Sequence, residues 1–151
     1  MKIGNVSVSH RVAGTIALVA ACASVGAYAQ GGGASVWGGS YSAEQATRGK
    51  ATYDGVCAAC HGPSLAGGDS APALSGGSFL NNWNSTSAGD LFERIHTTMP
   101  ASDPGSLSAK QVADVEAYIF QVNGFPAGQA ALPSDQQVLA GIKIVATKPA
   151  G

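Results

Sequence analysis

Charge is scarce in this chain: eight Lys and Arg and nine Asp and Glu make up 11% of its 151 residues. The basic residues form no patch, so nothing points to a nucleic acid or an anionic membrane surface as partner. Large aliphatic side chains are scarce too, because the apolar fraction is rich in Ala rather than Leu, Ile and Phe and is interleaved with 21 glycines. A chain of this size makes one small domain, and so few bulky side chains leave its core short of filling. No internal repeat is visible, and cysteine is limited to three residues, Cys22, Cys57 and Cys60.

The apolar run VAGTIALVAA follows Lys2 and Arg11 near the N-terminus. It is too short to span a membrane as a stable helix and has the form of a secretory signal over residues 1–29. Ala27-Tyr28-Ala29 offers the small residues that a signal peptidase reads, which favours cleavage before Gln30 and an exported, periplasmic product. Val19-Ala20-Ala21-Cys22 resembles a lipobox and supports the competing expectation of an anchor through a lipidated Cys22. Without the signal, six basic residues face nine acidic ones, a net charge of −3.

Residues 30–41 read as a flexible glycine-rich lead, with Trp37 and Tyr41 packing back onto the domain as the alternative. Residues 42–125 form the expected domain. Ser42 caps a first helix that carries Gly49 and Tyr53 on one face and runs to the cysteines. From Gly62 to Ser87 the chain reads as a long loop pinned by Pro72, Leu74, Phe79, Leu80 and Trp83, a length that makes sense in a small domain if it wraps a ligand. A second helix starts near Ser87 or Ala88 and stops around Thr98, because Pro100 keeps Met99 out of the helical region. The third shows a capping box, Ser108 with Gln111, then Val112, Val115, Ile119 and Val122 at helical spacing, and ends at Asn123-Gly124. Residues 126–151 are a C-terminal extension with one weak helical patch over 134–141.

The chemistry concentrates in Cys57-Ala58-Ala59-Cys60-His61. Sulfurs at i and i+3 of a helical turn lie on one side, spaced to take the two vinyl groups of one porphyrin as thioethers, and the next residue can face the iron; this is the attachment sequence for haem c. Zinc needs four ligands, and beyond these three the exported chain offers only His96. A thioredoxin-like disulfide expects a βαβ context, and a plain disulfide has no need of the histidine. An imidazole ligand at His61 needs its other N–H held by an acceptor, for which the carbonyl of Pro72 is the expected source. The other face of the iron falls to Met99, the single methionine after the signal, pinned in TTMP outside regular structure. His96 is the competitor for that position.

With these motifs in order, the chain resembles class I (mitochondrial-type) bacterial cytochromes c from about Ala43 to Gly124. The residues that carry the likeness are Gly49 and Tyr53 ahead of CxxCH, Pro72-x-Leu74 after it, TTMP, and ADVEAYI in the last helix. The resemblance implies an all-α cytochrome c fold of three principal helices around one covalently attached haem. It also implies that Gly49 and Tyr53 meet Val115 and Tyr118, that the Pro72 carbonyl accepts the His61 proton, and that Trp83 hydrogen-bonds a haem propionate. VWGGSYSAEQATRG and DLFERIHTTMPA further resemble exported monohaem cytochromes that take electrons from periplasmic quinoprotein dehydrogenases. The expected function is therefore that of a monomeric, non-enzymatic carrier of single electrons, with a periplasmic dehydrogenase as donor and an oxidase or other cytochrome as acceptor. Two alternatives stand beside it: an electron-transfer subunit of a larger dehydrogenase complex, and a haem sensor or enzyme with a labile sixth ligand.

Overall fold

The computed structural model describes Met1 and residues 34–150. The signal at 1–29 and Cys22 lie outside the described residues, apart from Met1. The described chain is helical with a few isolated bridges and no strand among the described residues, an all-α cytochrome c fold.

Helix α1 (Ala43–Val56) starts where expected: the Ser42 hydroxyl accepts from the Gln45 amide, satisfying one of the donors a helix start leaves open. The short turn α2 (Ala58–His61) continues it through the cysteines. Helix α3 (Gly76–Trp83) stands inside the stretch read as a loop. Its opening Gly-Gly and its asparagines mask the pattern; the remaining signal is Phe79, fully buried, with Trp83 four residues on and the rings 6.3 Å apart. Helix α4 (Ala88–Thr98) opens with a reciprocal capping box between Ser87 and Asp90, and α5 (Ala109–Val122) with the expected one between Ser108 and Gln111. A single turn, α6 (Gln136–Leu139), falls within the weak patch of the tail.

The frame is the crossing of α1 and α5. Gly49 sits against the α5 backbone: a Cβ built there would overlap the Asp114 carbonyl and lie 3.0 Å from the Val115 nitrogen. Lacking a side chain, the glycine brings the two backbones into contact, which explains a residue that otherwise weakens a helix. One turn on, the Tyr53 and Tyr118 rings meet edge to face at 5.5 Å. Arg48 adds a forked pair to Asp114, Nε to Oδ2 and Nη2 to Oδ1 both at 3.0 Å, and Lys110 donates to the same carboxylate at 2.7 Å. Burial pushes the Asp114 carboxyl up, but these hydrogen bonds outweigh it and hold the group below its ordinary value.

In the described part of the lead the alternative holds, with Trp37 and Tyr41 packed back onto the domain. Val36 and Tyr41 are buried in the same apolar cluster as the helices, and Leu132, Leu139 and Ile144 of the tail join them. The cause is a set of specific bonds: Tyr41 Oη donates to Phe125 O at 2.7 Å, Trp37 Nε1 to Val145 O at 2.9 Å, and the Trp37 ring stands edge-on to Phe125 at 5.0 Å. The Gln45 side chain reaches from α1 to the tail and exchanges two hydrogen bonds with Leu132, Nε2 to its carbonyl at 2.9 Å and Oε1 from its N–H at 2.6 Å.

Candidate functional site

The segment after α2 turns back on itself, and glycine makes this possible. Gly67 has a φ of +74°, and a Cβ there would come within 2.5 Å of the Ala73 nitrogen and 2.7 Å of the Pro72 carbonyl carbon. The doubled chain is tied by Gly67 N to His61 O at 2.9 Å and Leu74 N to Leu65 O at 2.8 Å. Its product is the contact expected for the imidazole: His61 Nδ1 lies 2.8 Å from the Pro72 carbonyl. With its proton donated there, Nδ1 is occupied and Nε2 is the nitrogen left for a further bond. His61 is 8% exposed, so the ring is held by packing as well. From the other side, Tyr53 Oη donates to Gly62 O at 2.7 Å and fixes the base of the loop to α1; burial first, then the neighbouring Cys57, Tyr118 and Asp54 charges, push the Tyr53 phenol up to about 12.

These residues face a cavity of about 470 Å³, within the range of about 300–1,000 Å³ typical of cofactor sites. The cavity brings together the residues expected to attach, ligate or pocket the haem: Cys57, Cys60, His61, Pro72, Leu74, Trp83 and Met99 all line it. The two thiols are free, Cys57 half-buried and Cys60 exposed, and burial, with a smaller contribution from Cys60, pushes the Cys57 thiol up to about 11. Met99 follows α4 in extended conformation (φ −123°, ψ 152°), its N–H still bonded to Ile95 O at 3.0 Å. His96 is absent from the cavity wall and stacks on Phe92 with ring centres 5.5 Å apart.

Leu91 and Ile95 of α4 and Val115 and Ile119 of α5 complete the apolar wall. Their helical spacing marks them as inward-facing, but a wall around a cofactor and a core have the same period, so sequence alone does not separate them. Arg94 and Asn82 at the rim carried no signal at all.

A slot with apolar walls, two adjacent thiols at its edge, an anchored imidazole and a thioether fits a porphyrin, and the fold and site together define a c-type cytochrome: a haem protein that transfers electrons. Residues 44–119 match the family described as cytochrome c oxidase, cbb3-type, subunit III. The chain belongs to that family. Membership implies covalently bound haem c, for which Cys57 and Cys60 have the required spacing. The crystal structure of the sulfane dehydrogenase SoxCD from Paracoccus pantotrophus is similar at 27% identity and a TM-score of 0.43, over 53% of this chain and 44% of that one. The match thus spans less than half of that protein's chain. A comparison with curated proteins finds no match.

Proposed function

We propose that the protein carries single electrons between redox proteins in the periplasm, with Cys57 and Cys60 as the haem attachment points and His61 and Met99 as the axial ligands. Haem supplies iron that cycles between ferrous and ferric states. The rest is the work of the chain. The Pro72 carbonyl holds the His61 ring in one orientation and raises its basicity as a ligand. Met99, a soft thioether, favours the ferrous state and raises the reduction potential relative to a second histidine. Leu74, Leu91, Ile95, Val115 and Ile119 keep water from the cavity, and Trp83, which also lines it, would offer its indole N–H to a haem propionate. Were His61 and Met99 both to bind the iron, the protein itself would fill the positions a substrate needs, which supports a carrier over an enzyme or sensor.

The observation that carries this reading is the presence in one cavity of an imidazole with Nδ1 already engaged and the exported chain's single methionine. The oxidised holoprotein is expected to show the weak absorption band toward the red that marks iron bonded to methionine sulfur. Met99→Ala should abolish it and lower the potential. A wild-type protein without the band, or a variant that keeps it, overturns the ligand assignment.

A second reading, an electron-transfer subunit of a larger complex, draws support from the description of the family as an oxidase subunit. Purification of the native protein in a stable assembly with a larger redox subunit favours this reading; a monomer that shuttles freely favours the first.

A further inference from the structure

The tail after Phe125 binds where α4 begins. Its residues 142–146 run between the lead and the short link 84–88 that joins α3 to α4. On one side Val36 N donates to Lys143 O at 3.0 Å and Lys143 N to Ala34 O at 2.7 Å. On the other, Ser85 N donates to Ile144 O at 2.8 Å, Ile144 N to Thr86 O at 3.0 Å and Ala88 N to Ile142 O at 2.9 Å. Ile144 is fully buried between them. Within the first turn of α4, Gly89 lets the tail approach further: a Cβ there would lie 2.7 Å from both the Ala140 nitrogen and the Gln136 carbonyl oxygen.

The far end of α4 delivers Met99 to the cavity. At 11 residues the helix is a rod of about 16 Å, stiff enough that fixing its first turn restricts where its last turn can sit. The tail is itself anchored to α1 through the Gln45–Leu132 exchange, so its grip on α4 is referred to the same helix that leads into Cys57 and His61.

We infer that the C-terminal tail is the positioning element for Met99: by clamping the start of α4 through Ile144 and the α6–Gly89 contact, it holds the thioether at bonding depth in the cavity. This rests on the reading of Met99 as the distal ligand. Without the clamp, α4 samples displaced positions and the sixth coordination site opens to added ligands.

The test uses full-length ferric holoprotein in wild-type, Ile144→Ala, Ile144→Val and Gly89→Ala forms, with imidazole as the incoming ligand. In Ile144→Ala and Gly89→Ala the methionine–iron band should weaken and imidazole should bind faster, on the order of tenfold, while the melt stays cooperative and the haem content stays at one. Ile144→Val should return both readings close to wild type. A loss of packing that left Met99 in place would lower the melting temperature alone. If Ile144→Ala does not fold, Gly89→Ala decides. Folded variants with the wild-type band and wild-type imidazole rate overturn the clamp and leave the ligand assignment standing; a wild-type protein lacking the band overturns both.

Discussion

Nothing in the fold offsets the burial of Glu116. It is fully buried in the middle of α5, and neither carboxylate oxygen has a hydrogen-bond partner. Desolvation alone therefore acts on it and pushes its carboxyl well above the ordinary value of 4.5. The folded state holds the proton that the unfolded state gives up. Below pH 4.5 both states are protonated and the group is neutral in the balance. As the pH rises above that point, the unfolded chain ionises first and gains free energy that the folded chain does not share. Stability then falls by about 1.4 kcal/mol per pH unit until the displaced pKa is reached. Against a total of about 5–15 kcal/mol for a domain, two such units are a large share. Glu116→Gln keeps the shape and removes the titration. Denaturant unfolding of both holoproteins, followed by circular dichroism at unit steps from pH 4 to 8, isolates this group because other titrations cancel in the difference. The variant should match wild type within about 1 kcal/mol at pH 4, then gain on it at each step and level off where folded Glu116 ionises. A difference that stays flat from pH 5 to 8, or that moves in favour of wild type, refutes the assignment of a neutral, unpartnered acid.

Gly49→Ala forces a methyl into the Asp114 carbonyl, and the crossing should loosen by about 1–3 kcal/mol, read as a lower denaturation midpoint at unchanged slope. Asp114→Asn leaves Arg48 and Lys110 without their anion; since Arg48 is half exposed, the loss at pH 7 should be about 1 kcal/mol and shrink in high salt. Because the folded carboxyl sits below its ordinary value of 3.8, that contribution is present above this pH and disappears as the pH falls through the lowered value, so the two proteins should converge in strong acid. Replacing both Cys57 and Cys60 by Ala should give a haem-free chain without a cooperative thermal transition, since the cavity walls then face water or each other; a sharp, native-like melt contradicts the view that the cofactor completes the core.

The principal helices were legible because each announces its start chemically, through Ser42, Ser87 and Ser108, and its inner face by spacing. The site was legible because CxxCH and TTMP are local signals whose geometry follows from a single turn and a single proline. What escaped reading was non-local. Helix α3 hides behind glycines and asparagines and depends on Phe79 and Trp83 finding each other. Gly67 looks like any loop glycine until the Pro72 carbonyl is seen to press against it. The lead was signalled only by Trp37 and Tyr41, and the tail has little pattern of its own; part of their order comes from backbone bonds to distant segments, such as Val36 to Lys143, which leave no trace in side-chain periodicity.

In the exchange between Gln45 and Leu132, a side-chain amide takes the part of a peptide group. Two strands side by side trade N–H for C=O in pairs; in the first turn of α1 the Gln45 N–H is already taken by the Ser42 hydroxyl, so the side-chain amide serves as a borrowed peptide unit and accepts an extended segment edge-on. This makes the position sensitive to chemistry rather than size. Glutamate has the same reach but no donor, and it would turn lone pairs toward the Leu132 carbonyl. A change of one atom pair on α1 would then be felt more than eighty residues away, as an extended segment that no longer has a rung to hold.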